Sequence, residues 1–195
     1  MANGRPNLVF VFPDQFRQQS LGCMSQDPVV TPNFDRFAAR SRVLTHAVSN
    51  RPVCSPYRAM LFTGKYPHAN GVLTNCNSDT VQYDCYLRDT DRCLTDILHD
   101  ADYSQGYIGK FHLDPPTDAH SEYTEGPRGD GKIWDTYTAP GPRRHGIDFW
   151  HSYGCCDNHL HPHYWEGDAR LEERIDVDDW SVRHETDVAV DFIRN

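Results

Sequence analysis

The sequence predicts an α/β fold, and three observations carry that expectation. Residues 7–12 form a short apolar run rich in Val and Phe, which reads as a buried parallel strand. A helix start follows at Thr31-Pro32, with Thr placed to cap and Pro in the first helical position. Further on, strand-like and helix-like stretches keep alternating, the pattern of a sheet covered by helices.

The elements are read in order. Pro13-Asp14-Gln15 ends the first strand. Phe34, Phe37 and Ala38 give the first helix its apolar side. Residues 43–48 read as a second strand. Residues 55–62 read as a helix with Pro56 in its first turn and Gly64 as its stop. Residues 94–99 are helical, and a third strand is centred on Tyr107-Ile108. Residues 114–146 are rich in Pro, Gly, Asp and Thr and read as a long surface excursion. Residues 178–194 close the chain as an amphipathic helix, with Val182, Val188, Ala189, Phe192 and Ile193 on one side. The sheet expected from this order is mixed and mostly parallel, flanked by helices.

At 195 residues the chain is one domain or a little more, long enough for a substantial core. With 28 acidic against 19 basic residues the net charge is −9, which argues against a nucleic-acid partner. An anionic substrate is compatible with this charge, because a few local cations can dominate a pocket. No apolar stretch is long enough to span a membrane as a helix, and the first residues carry no signal-peptide pattern. Compartment therefore stays open: periplasmic or secreted if a leader was removed, cytoplasmic otherwise. Seven cysteines are present and no Cys-x-x-Cys pair occurs, so a zinc knuckle is unsupported. Disulfides among Cys76, Cys85 and Cys93 are open, whereas adjacent Cys155 and Cys156 would bond only with strain.

The densest chemical signal is Cys54-Ser55-Pro56-Tyr57-Arg58, followed by Thr63-Gly64. A lone cysteine would read as core packing. Cys, Pro, Arg, Thr and Gly in fixed register do not. The stretch resembles the signature of the type I, formylglycine-dependent sulfatases of the alkaline phosphatase superfamily. The resemblance implies an alkaline-phosphatase-like fold and oxidation of Cys54 to Cα-formylglycine by a formylglycine-generating or sulfatase-maturing enzyme. One hydroxyl of the hydrated aldehyde then attacks sulfur, and the other expels sulfate, a form of covalent catalysis.

Other stretches fit the same resemblance. Asp14-Gln15 sits at the end of the first expected strand, the edge where open α/β sheets bind ligands. It is similar to the family's acidic or Asp-Gln metal pair, and so implies calcium, or magnesium, held by oxygen donors. Arg58 lies one helical turn beyond Cys54 and can lean toward it; the resemblance makes it a support for the developing oxyanion. Gly109-Lys110-Phe111-His112-Leu113 is similar to the family's Gly-Lys-aromatic-His segment. Lys110 and His112 are two apart in an extended segment and can face one pocket. The resemblance gives Lys110 a sulfate oxygen and His112 the diol. Asp157-Asn158-His159-Leu160-His161-Pro162-His163 is the densest histidine cluster. A family histidine in this region contacts sulfate and can protonate the leaving alcohol. His159 is the first choice, His161 the second, and His163 a candidate for the pocket wall.

The resemblance runs from residue 7 to residue 195, yet family members are commonly more than twice as long. Their downstream half supplies further metal ligands and a second lysine, so the expectation is an N-terminal catalytic portion, of little activity alone. The substrate expected is a sulfated carbohydrate, with Trp134, Trp150 and Trp165 as aromatic faces for a sugar. Alternatives are a phosphonate monoester or phosphodiester hydrolase with the same machinery, or an inactive anion-binding fragment.

Overall fold

A computed structural model describes residues 4–155 and 158–195. The chain divides into two units, Met1–Val48 and Ser49–Asn195. In the first, Pro32 opens helix α1 (Pro32–Ala38) as expected. Thr31 does not cap it in the usual way. Its hydroxyl accepts the Gly22 amide at 2.8 Å and donates to the Asp35 carboxylate at 2.9 Å. Asp35 also accepts the Cys23 amide at 2.8 Å, so the helix start is stitched to the short 3-10 turn Gly22–Met24.

Two expected strands are absent. Residues 7–12 and 43–48 are irregular, and Leu8, Val9, Phe10, Val11, Leu44 and Val48 are exposed. Apolar content gives a run the tendency to be buried. A strand exists only once a neighbour completes its ladder.

In the second unit, helix α2 (Cys54–Thr63) begins after extended Val53 and ends at Gly64 in the left-handed conformation, as its terminal glycine predicts. It buries Ser55, Pro56, Arg58, Ala59 and Phe62. A one-turn helix α3 (Pro67–Asn70) and helix α4 (Leu94–Asp100) follow. Strand β1 (Gly106–Lys110) carries the expected Tyr107-Ile108. Strands β2 (Phe149–Tyr153), β3 (His163–Glu166) and β4 (Ile175–Asp176) carry no strand signal in sequence, because all are short and the first two are rich in His and aromatic residues. Helix α5 (Ser181–Arg194) ends the chain.

The four strands form one mixed sheet in the order β1-β2-β3-β4. β1 and β2 are parallel, with Lys110 opposite Tyr153, and the two remaining pairs are antiparallel. The core between α2 and β1 holds Ala59, Phe62, Val72, Leu87, Phe111, Leu113 and Trp150. Tyr107 stacks on Trp150 at 5.4 Å and Phe111 meets Trp150 edge-on at 5.2 Å. Burying each such ring contributes about 1.5–3 kcal/mol. These rings fix the end of β1, which carries Lys110, relative to α2, which carries Cys54.

Residues 114–146 are not a surface excursion throughout. Their only helical pieces among the described residues are the 3-10 turns Asp118–His120 and Pro142–Arg144. Yet Asp114, Asp135, Thr136, Thr138, Arg144 and His145 are buried. Most of these buried polar groups find partners. Asp135 accepts the Cys155 amide and a ring N–H of His163, both at 2.7 Å. Arg144 donates to the Thr138 carbonyl at 3.0 Å and lies over Trp150, 4.7 Å from its ring centre. Cys76, Cys85 and Cys93 are all free thiols. Burial pushes the Cys76 and Cys93 thiols up to about 12, so neither is a free thiolate at neutral pH.

Candidate active site

Cys54 is the first residue of α2 and is half-buried. The Lys110 ammonium lies 3.8 Å from its sulfur. This contact is built from both sides. Arg58, one turn further along α2 and 3 % exposed, donates through Nη1 to the Lys110 carbonyl and, at 3.3 Å, to the Tyr107 hydroxyl. Tyr107 donates its own proton to the same carbonyl at 2.6 Å. Two donors on one carbonyl hold the Lys110 backbone while its side chain turns toward Cys54. Burial pushes the Tyr107 phenol up, and the Arg58 guanidinium pulls it back down. It remains a neutral donor.

A second set of bonds locks the helix start. The Ser55 hydroxyl donates to the His112 carbonyl at 2.7 Å and accepts the Cys76 amide at 3.0 Å. The Ser55 amide donates to the Asn75 side chain at 3.0 Å. His112 is 1 % exposed and holds a left-handed φ of 50°. Its Nε2 is 2.9 Å from the Cys76 carbonyl. A carbonyl only accepts, so Nε2 carries the proton. Trp134 stands beside it, with ring centres 6.4 Å apart.

Helix α5 adds a carboxylate that the sequence did not single out. Glu185 accepts the Tyr164 hydroxyl at 3.0 Å. Burial raises its pKa, and the Tyr164 bond, His159 and Arg58 counter that rise. Gly109, at φ +93°, leaves it room: a Cβ there would lie 3.0 Å from a Glu185 oxygen. Within sequence reading, the conspicuous glycine next to Lys110 was the one available sign of such close approach.

The three histidine candidates separate. His159 is exposed and tied to the start of α5, its carbonyl accepting the Ser181 amide at 2.8 Å. His161 is exposed and lies 2.8 Å from an Asp178 oxygen. His163 is buried against Asp135. Each has a different partner, and they form no common metal cluster. Asp157, at the head of this cluster, lies outside the described residues. Of the aromatic candidates, Trp150 and Trp165 are core residues at 1 % exposure, while Trp134 remains half-buried beside His112.

Asp14 and Gln15 belong to the first unit and occupy an exposed turn, Gln15 at a φ of 53°. A carboxylate and an amide carbonyl are hard oxygen donors, which fits calcium or magnesium by type. Two side chains supply only part of the six to eight oxygens that calcium takes.

Residues 6–158 match the Sulfatase family model. The chain is 43% identical to an endo-4-O-sulfatase of Bacteroides thetaiotaomicron over 97% of its own length and 39% of the relative's. It is 34% identical to an ulvan-active sulfatase of Formosa agariphila, over 84% of this chain and 27% of that one. The crystal structure of the sulfatase yidJ from Bacteroides fragilis superposes with a TM-score of 0.92 at 41% identity, covering 97% of this chain and 40% of that one. The chain thus spans well under half the length of these relatives. With an alkaline-phosphatase-like α/β fold and the Cys54-x-Pro56-x-Arg58 helix start beside Lys110, it belongs to the sulfatase family.

Proposed function

We propose that this chain is the N-terminal catalytic portion of a sulfuric ester hydrolase acting on a sulfated carbohydrate, with Cys54 converted to formylglycine. The observation that carries the reading is the Lys110 ammonium 3.8 Å from Cys54 Sγ at the start of α2. The relatives named as endo-4-O- and ulvan-active sulfatases support the substrate class.

Formylglycine supplies a hydrated aldehyde as nucleophile, made by a separate maturing enzyme. The chain's own residues do the rest. Lys110 places a positive charge where a sulfate oxygen arrives. Arg58 holds the Lys110 backbone and adds positive potential at the helix start. His112, held by Cys76 and Ser55, is the residue assigned to the diol. His159 is the first choice for contacting sulfate and protonating the leaving alcohol, and His161 the second. Asp14 and Gln15 would hold calcium, or magnesium, through oxygen donors. No helix among the described residues is long and apolar enough to cross a membrane.

Two measurements test this. Co-expression with a formylglycine-generating enzyme should give the mass loss of a CH2–SH group converted to CHO, confined to the Cys54 peptide. In a chain extended to the length of its relatives, hydrolysis of 4-O-sulfated sugars should exceed that of matched phosphate esters. An unmodified Cys54 together with an active enzyme would overturn the nucleophile. Faster phosphate ester turnover would replace the substrate class.

A further inference from the structure

We propose that Cys93, Asp96 and His145 form a zinc site that ties α4 to the turn at 142–146, separate from the residues proposed for catalysis. The spacing hides this set in sequence, since Asp96 and His145 are 49 positions apart. In the fold each residue offers one ligand atom, and the three atoms lie within 4.8 Å of one another. Among the described residues this is the group of His, Cys, Asp and Glu donors that meets so closely.

The burial is that of a built site. Cys93 is 0 % and His145 2 % exposed, while Asp96 is half-buried and leaves an opening to solvent. His145 sits at a left-handed φ of 47° after the 3-10 turn Pro142–Arg144. One ring nitrogen, Nδ1, is 3.3 Å from an Asp96 oxygen. Nδ1 is therefore the ring nitrogen that faces the carboxylate, and it is the atom His145 offers beside Asp96 and Cys93.

The Cys93–Asp96 pair also forms a capping box, the Asp96 amide donating to Cys93 Sγ and the Cys93 amide to Asp96 at 2.8 Å. A cap alone requires neither a sulfur nor a buried imidazole; a serine would serve. The two elements are held in register without the ion. Gln105 Nε2 donates to the Thr95 carbonyl at 2.8 Å and the Gly146 carbonyl at 3.0 Å. A Cβ on Gly146, at φ +76°, would lie 2.8 Å from His99 Cβ.

The donors choose the ion. Sulfur, imidazole nitrogen and carboxylate oxygen suit zinc, at about 2.3, 2.0 and 2.0 Å. Such bonds set tetrahedral ligand atoms roughly 3–4 Å apart, so the set need close by only about 1 Å. A water entering beside Asp96 supplies the fourth ligand. On binding, the Cys93 thiol proton passes to solvent, so affinity weakens as pH is lowered.

The test uses the reduced, chelator-stripped 195-residue chain, titrated with Zn2+ and with Co2+ as a spectroscopic substitute. One ion per chain is expected, with a thiolate-to-cobalt charge-transfer band. Cys93→Ser keeps a hydroxyl cap but should lose the band and bind Zn2+ at least tenfold more weakly. His145→Gln should weaken Zn2+ binding similarly and decides the matter if Cys93→Ser misfolds. Asp14→Asn and Cys54→Ser should change neither readout. Zn2+ affinity unchanged in His145→Gln, a band surviving in Cys93→Ser, or a band lost in Cys54→Ser would each overturn the site. None of these outcomes depends on whether Cys54 is oxidised or sulfate is hydrolysed.

Discussion

Asp114 ends the segment that carries Lys110 and His112, and its ionisation should govern how firmly that segment is held. It is 5 % exposed, with Arg143 Nη1 3.2 Å from its carboxylate. Burial outweighs the fields of Arg143 and Arg144 and the Thr138 hydrogen bond, and pushes its pKa from 3.8 up to about 6. A folded-state pKa above the unfolded one favours the protonated fold. The stability it contributes is fully present below pH 3.8 and is lost as pH rises through about 6. The gap of about two pH units corresponds to about 3 kcal/mol at roughly 1.4 kcal/mol per unit. Asp114→Asn keeps an acceptor for Arg143 and cannot ionise. The variant should match the parent near pH 4 and be about 3 kcal/mol more stable at pH 7. With a urea slope of about 2 kcal/mol/M, that is a midpoint shift of roughly 1.5 M. All four tryptophans lie beyond residue 48, so their fluorescence reports the unit that contains Asp114. Taking the difference between parent and variant at each pH cancels Glu185, His120 and His151. A difference that stays constant from pH 4 to 7 would refute the assignment of this pH dependence to Asp114.

Other expectations follow from the same geometry. Cys54→Ala should abolish hydrolysis in the extended enzyme with an unchanged fold by circular dichroism; normal turnover would remove Cys54 from the chemistry. Arg58→Ala should destabilise the chain by about 2–3 kcal/mol, since it strips a buried charged donor from the Lys110 carbonyl; a urea midpoint equal to the parent's would show that this scaffold is not needed. Gly109→Ala should cost about 1–3 kcal/mol from positive φ alone, and adding Glu185→Ala should recover only the steric part; full recovery would mean that the backbone is unstrained. Burial also lowers the pKa of His151, against the pull of Glu166 and with His184 and Tyr164 packed on its ring. A lowered base contributes stability above its ordinary 6.5 that is lost as pH falls through its folded value. His151→Phe should therefore flatten the acid limb of the stability profile below pH 6.5, and an unchanged limb would assign that loss elsewhere.

The sequence by itself determined helices α1, α2, α4 and α5 and the local setting of Cys54. Pro32, Pro56 and Gly64 act within a turn or two of their own position, so α1 and α2 could be placed from local rules. The Cys54–Arg58 pairing is likewise local, one helical turn. Lys110 could be placed near that pair because a strand followed by Gly-Lys ends at a sheet edge. What the tertiary structure decided is everything that depends on partners distant along the chain. Residues 7–12 and 43–48 have strand composition but no strand, since a ladder needs a neighbour that composition does not specify. β2 and β3 run the other way: His151, Trp165 and Glu166 read as a polar, aromatic stretch and became strand through pairing. His159, His161 and His163 look equivalent at two-residue spacing, and only the fold gives them Ser181, Asp178 and Asp135 as separate partners. Glu185 and the Cys93–Asp96–His145 cluster carry no motif. Glu185 meets Gly109, and Cys93 and Asp96 meet His145, from far along the chain, where packing sets the distance and local periodicity carries no information.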